Sequence, residues 1–133
     1  MKISAAVKNI SGNHRVVVET NQHKQTLSIA SKPSGFGSSV NGGELLLLAL
    51  ATCFCNDIYR EAGKRNIAVS GVEVTVTGEF GAEGEPGSNF QYNAHVISDA
   101  PAAAIEDLIN YTDRVAEIHN TLRKGVSVSL MKG

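Results

Sequence analysis

Cys53 and Cys55 are the only two cysteines in a chain of 133 residues, and they sit in the stretch LLLLALATCFCNDIYREAGK. A thiol can be oxidised by a peroxide, pair with another thiol, or ligate a soft metal, and the spacing bears on all three. On an α-helix each residue turns roughly 100°, so residues two apart point about 200° away from each other. A disulfide needs Cβ atoms roughly 4 Å apart, so Cys53 and Cys55 do not pair on an intact helix. The same divergence argues against a C-x-C metal chelate, and His119 alone does not complete one; no metal or cofactor is expected. Cys53 shares its helical face with Asn56, Asp57 and Arg60, whereas Cys55 shares its face with Ile58, Tyr59 and Ala62. Cys53 therefore faces a boundary between core and water and is the candidate reactive thiol. Cys55 faces packing and is the possible second thiol.

A reactive thiol needs a neighbouring cation. Cys53 lies about three turns into its helix, too far for the N-terminal end of the dipole to help. Asp57, one turn on, raises the thiol pKa if close. The candidate cation is Arg15, which follows the turn-like SGNH in the N-terminal strands. Glu44 is explained by helix capping, His14, His23 and His95 fall at strand positions, and His119 could line a pocket.

The elements that position these groups read in order. HRVVVET is β-branched and HKQTLSIAS alternates through Leu27 and Ile29, with a hairpin turn expected at TNQH. SKPSGFGSSVNGG, with four glycines and four serines, is a long loop. It leads into the Cys53 helix, so Phe36, its one large apolar residue, is the candidate cover of a pocket mouth. Asn41 and Glu44 form a capping box, and the helix is expected to run to about Gly63. Its first half is apolar all round and is expected to be buried on every side. VEVTVTGEF and NFQYNAHVIS alternate as strands around a GAEGEPGS turn. Pro101 opens a helix through AAAIEDLINYTDRVAEIH, and GVSVSLM is expected to form a last strand. The order predicts a single α+β domain over residues 1–133 with a mostly antiparallel sheet.

Composition narrows the function. Net charge is -1 and the sequence pI is near 6.4, so no basic face for nucleic acid is expected. MKISAAVKNISG has no leader pattern, and the Leu45–Ala51 run is short for a bilayer, so no membrane partner is expected. Two locally spaced cysteines are not a secreted disulfide framework, and a reducing, cytoplasmic setting is expected.

The stretch GGELLLLALATCFCNDIYREAGKRNIAVSGVEVTVTGEF resembles the signature region of the OsmC/Ohr family of peroxide-stress proteins. It shares a Glu-Leu-Leu-rich segment running into a helical cysteine, a basic exit before Asn-Ile, and a Val-alternating strand ending in Gly. The resemblance implies an OsmC-like fold, in which an intertwined homodimer wraps sheets around long buried central helices. It implies reduction of organic hydroperoxides at Cys53, with the arginine supplied from the N-terminal strands. The family's second cysteine, in a Cys-Pro-x-Ser motif before the last strand, is missing: the corresponding AEIHNTLRKGVSV has Glu117 near that place. A family carboxylate expected just before the helix meets Gly43, with Glu44 one place off. The expected activity is thus a thiol-dependent peroxidase with one peroxidatic cysteine, an external thiol reductant and a small apolar hydroperoxide as substrate. The alternative is a non-catalytic relative that binds a small hydrophobic ligand in the dimer pocket.

Overall fold

A computed structural model describes residues 1–132. Strands β1 (Ile3–Ile10), β2 (Asn13–Thr20) and β3 (His23–Leu27) form one antiparallel sheet in that order. Both connections are two-residue turns. Gly12 takes φ 75° in the first, and Asn21 and Gln22 take φ 45° and 72° in the second. Two successive positive φ values make TNQH a type I′ turn, whose twist matches that of the strands it joins. β3 ends at Leu27, four residues short of the alternation read in the sequence.

The serine- and glycine-rich loop after β3 is stapled, not free. Ser31 bridges Ser38, and Asn9 exchanges two hydrogen bonds with the Gly37 backbone, the Gly37 N–H donating at 2.9 Å. Gly35 and Gly37 adopt φ 93° and 83°, which only glycine takes without strain. Phe36 sits between them with 65% of its surface exposed.

Helix α1 (Gly42–Lys64) begins with the capping box. The Glu44 N–H donates to Asn41 Oδ1 at 2.8 Å, and the Asn41 N–H to Glu44 Oε1 at 3.0 Å. Two orphan donors of the first turn are thereby satisfied. The helix passes Gly63 by one residue and ends in a Schellman motif around Asn66, at φ 53°. The Ile67 N–H reaches Ala62 O and the Asn66 N–H reaches Gly63 O. By length and composition the whole of α1 would be long and apolar enough to cross a membrane, although the Leu45–Ala51 run alone is not. Its second half, however, carries ion-paired Asp57, Arg60 and Glu61.

The strands β4 (Gly71–Glu79) and β5 (Ser88–Ile97) make an antiparallel hairpin. The expected alternation holds: Val72, Val74 and Val76 pair with Val96, Ala94 and Tyr92 and share one face. A bulge between Thr77 and Glu79 falls at Gly78, where a Cβ would collide with the Phe90 ring. That face, α1 and two further helices enclose a core of Phe54, Ile58, Ala62, Val96, Leu108 and Ala116.

The single chain departs from three sequence expectations. The helix opened by Pro101 is two helices, α2 (Ala102–Val115) and α3 (Glu117–Lys124), because Ala116 is extended at φ -68°, ψ 111°. Ala116 is fully buried, and side chains of α3 satisfy the carbonyls the break frees. Asn120 Nδ2 donates to Arg114 O at 2.9 Å, and Arg123 Nη1 donates to Asp113 O at 3.0 Å. GVSVSLM has the alternation of a strand but is not one. Among the described residues it has no ladder partner, and Val128 and Leu130 are 95% and 98% exposed. Nor is the first half of α1 buried on every side in this chain: Leu48 is 58% exposed.

The chain packs as two compact units, Met1–Leu45 and Leu46 onward. Its three helices and antiparallel sheets make an α+β fold.

Candidate functional site

Cys53 lies on α1 with its sulfur turned toward the start of α3. Its thiol donates to Asp57 Oδ2 at 3.4 Å, the i,i+4 contact that a helix provides. Asp57 is only 6% exposed, and Arg60 Nη1 meets its other oxygen at 3.1 Å. The same Nη1 contacts Glu117 Oε2 at 3.0 Å, and Arg60 Nε contacts Glu61 Oε2 at 2.8 Å. Lys64 completes the array at Glu61, 3.1 Å away. One guanidinium thus serves three carboxylates, a task suited to its planar fork of donors.

The titration behaviour follows from burial and charge. The Cys53 thiol is pushed up, by burial first and then by Asp57 and Glu117, while the Ile118 N–H works the other way. Asp57 is also raised, by burial first and by its interaction with Glu117, against the pull of Cys53 and Arg60. Glu117 is lowered by its own backbone N–H, by Asp57 and by Arg60. Cys53 rests as a neutral thiol beside a proton acceptor, with the positive charge one carboxylate away.

Cys53, Asp57 and Glu117 place their donor atoms within 4.8 Å of one another. These are the residues that could hold a metal ion, but the guanidinium of Arg60 already fills the need for positive charge between the two carboxylates.

Around the rings of Phe54 and Tyr92 lies a second group of polar residues. His119 is 4% exposed, with its ring 5.6 Å from that of Phe54 and 4.6 Å from that of Tyr92. Burial, then the charge of Arg123, lowers its pKa, so the imidazole is neutral. The Tyr92 hydroxyl donates to Asp113 Oδ1, which also takes Arg123 Nη2 at 2.7 Å.

Of the residues singled out in the sequence, Cys53 meets Asp57 and Arg60, the polar face read from its spacing. Cys55 is half-buried beside Ala51, Thr52, Asn56 and Val74, and both cysteines are free. Arg15 stands on β2 opposite Lys8, and Phe36 at its loop tip; both belong to the first unit. The cation that reaches the Cys53 cluster within its own unit is Arg60. Sequence reasoning placed Arg60 on the right face without giving it that role. The Tyr92–Asp113–Arg123 group went unread; its only sequence signal is the ten-residue spacing of Asp113 and Arg123, which becomes a contact because the chain turns at Ala116.

Residues 35–131 match the model of the family described as OsmC-like protein. No curated protein is found as a sequence relative. Among solved structures the chain is similar to an OsmC-like protein from Mycoplasma pneumoniae, with 20% identity and a TM-score of 0.63 over 92% of this chain and 86% of that one. It is similar also to an organic hydroperoxide resistance protein from Legionella pneumophila, with 21% identity and a TM-score of 0.61 over 92% and 90%. A third is an organic hydroperoxide resistance protein from Elizabethkingia anophelis, with 17% identity and a TM-score of 0.62 over 92% and 89%. At these identities the likeness is one of fold.

Proposed function

The chain belongs to the family of OsmC-like proteins, and from that premise we propose that it reduces organic hydroperoxides through Cys53 as a single redox-active thiol. The observation that carries this reading is the Cys53 thiol hydrogen-bonded at 3.4 Å to the buried carboxylate of Asp57. A thiol held neutral needs a base when it reacts, and Asp57 is within reach to be one. The sulfur attacks the terminal oxygen of ROOH and the O–O bond breaks. The thiol proton passes to Asp57 and on to the departing alkoxide, giving ROH and a Cys53 sulfenic acid. An external thiol then condenses with the sulfenic acid, releasing water and leaving a mixed disulfide. A second thiol resolves this, restoring Cys53 and releasing the oxidised reductant. The hydroperoxide resistance proteins of similar fold support the substrate class.

A second reading is favoured by the upward shift of the Cys53 thiol and by Glu117 standing where the family pattern leads one to look for a second cysteine. On that reading the protein is a non-catalytic relative that binds a small hydrophobic ligand. Consumption of cumene hydroperoxide with dithiothreitol or dihydrolipoamide separates the two. Turnover by the wild type that Cys53→Ser abolishes supports the peroxidase. Equal, background consumption by both proteins leaves the binding reading.

Under either reading we propose an obligate homodimer, working in the cytoplasm where thiols stay reduced. Leu48 on α1 and Val126, Val128 and Leu130 in the tail are large apolar side chains left exposed in one chain. A second copy is the partner that would bury them. Sedimentation equilibrium at micromolar concentration tests this, and a folded monomer there would refute it.

A further inference from the structure

Glu117 opens α3, and its carboxylate, the Cys53 sulfur and an Asp57 oxygen all lie within 4.8 Å of one another. We propose that Glu117 is the catalytic base and acid of the second half of the cycle, the reduction of the Cys53 sulfenic acid by the external thiol. This rests on the peroxidase reading and assigns a residue to a step that reading leaves without one.

The two carboxylates of the site differ in what can reach them. Asp57 is 6% exposed, and its oxygens are taken by the Cys53 thiol and by Arg60 Nη1. The Glu117 side chain is 63% exposed, so a thiol arriving from water can reach it. A carboxylate this close to the sulfur is within hydrogen-bond reach of an oxygen added there, or one water away from it.

Glu117 is also held in place. Arg60 Nη1 contacts both of its oxygens, at 3.0 and 3.4 Å. The extended Ala116 turns the chain just before it, and Asn120 on Arg114 O and Arg123 on Asp113 hold that turn. Its own backbone N–H, then its bonds to Asp57 and Arg60, lower its pKa against the effect of burial. The carboxylate is therefore ionised and ready to accept a proton.

The step balances on Glu117, Cys53 and the reductant alone. The reductant RSH gives its proton to Glu117, and its sulfur attacks the Cys53 sulfur. The S–O bond breaks, and the departing hydroxide takes that proton from Glu117 and leaves as water. Cys53 is left in a mixed disulfide with the reductant, and the Glu117 carboxylate is restored. Hydroxide is a poor leaving group, so delivery of the proton is where a carboxyl group helps most.

The two half-reactions of the full-length protein are measured apart. Cumene hydroperoxide forms the sulfenic acid, detected by dimedone trapping and intact mass. Addition of 2-mercaptoethanol then times the mixed disulfide. Glu117→Gln keeps an oxygen for Arg60 but can neither take up nor release a proton. It should slow mixed-disulfide formation by about 10²-fold. Sulfenic acid formation should not slow, since one negative charge beside the thiol is gone. Glu117→Asp should recover part of the loss.

The pH profile separates catalysis from packing. In the wild type the proton the thiol loses is the one the hydroxide gains, so the rate should be nearly flat from about pH 6 to pH 8. In Glu117→Gln only preformed thiolate reacts, and the rate should climb about tenfold per pH unit. A wild-type rate that climbs as steeply would overturn the proposal, and that result needs no variant. So would a sulfenic acid that both proteins reduce equally fast, which leaves the peroxidase reading standing. If peroxide forms no sulfenic acid in either protein, that reading falls and the proposal falls with it.

Discussion

Arg60 is the single cation between Asp57 and Glu117, and replacing it should expose how much the cluster depends on it. Arg60→Met keeps an unbranched apolar stem and deletes the guanidinium. Glu117 is 63% exposed and can turn to water, and Glu61 keeps Lys64 at 3.1 Å. Asp57 has neither escape: it is 6% exposed, and apart from Glu117, a second carboxylate, its remaining partner is the weak Cys53 thiol donor. Stranding one buried carboxylate costs about 3 kcal/mol, which for a chain of this size lowers Tm by about 10 °C. Urea denaturation and thermal melts at one fixed protein concentration measure it. The loss should depend on pH in a defined direction. Asp57 in the folded state is already raised above its ordinary 3.8, by burial first, and Arg60 is one of the influences holding it down. Without Arg60 it rises further. Between the ordinary value and the raised one, the folded protein keeps a proton that the unfolded chain has released, so stability falls as pH rises. The deficit of Arg60→Met relative to wild type should therefore shrink on going from pH 7.5 toward pH 5. Arg60→Met combined with Asp57→Asn should recover most of the loss at neutral pH. A deficit below about 1 kcal/mol, the same at both pH values, would mean that Arg60 is an ordinary surface ion pair.

Three further outcomes are expected. Asn41→Ala removes the side-chain acceptor of the capping box and should cost about 1 kcal/mol by urea denaturation, whereas Asn41→Ser should cost little. Gly78→Ala pushes a methyl group into the Phe90 ring and should cost about 1–3 kcal/mol; Phe90→Leu in the same chain should return part of it, and additive costs would sink the packing argument. On mild peroxide treatment a sulfenic-acid probe should label Cys53 before Cys55, since Cys53 alone has a carboxylate acceptor, and labelling of Cys55 first would remove the basis for the peroxidase reading.

What could be read in the sequence was local. TNQH, the Asn41–Glu44 box and the valine alternation of β4 each state their geometry within four to nine residues, and each appears as read. The break at Ala116 could not be read, because Val-Ala-Glu-Ile contains no glycine, proline or capping residue that would stop a helix. It is decided by the burial of Ala116 and by Asn120 and Arg123 reaching back to free carbonyls. GVSVSLM shows the opposite failure. Its alternation is right for a strand, but a strand is made by its neighbour, and a pattern cannot supply one. The candidate site divides along the same line. Cys53, Asp57 and Arg60 fall on one helical face by counting, whereas Glu117 joins them from 57 residues away.

That arrangement has a consequence for how Cys53 can work. A thiolate nucleophile is commonly prepared by a cation placed directly against the sulfur. Here the charged groups beside the sulfur are carboxylates, and the guanidinium stands behind them. Burial and carboxylates both favour the protonated thiol, so resting Cys53 should be slow toward reagents that need a thiolate. A peroxide differs from an alkylating agent in one respect: its leaving alkoxide needs a proton, and the thiol has one to give through Asp57. Asp57→Asn should therefore act in opposite senses on the two reactions. Removing the negative charge should speed alkylation of Cys53 by iodoacetamide at pH 7.5. Loss of the proton carrier should slow its oxidation by cumene hydroperoxide, by about 10²-fold if Asp57 acts as a general acid–base. If both reactions speed up together, Asp57 only suppresses the thiolate. The peroxidase reading would then require a cation brought against Cys53 by some other part of the assembled protein.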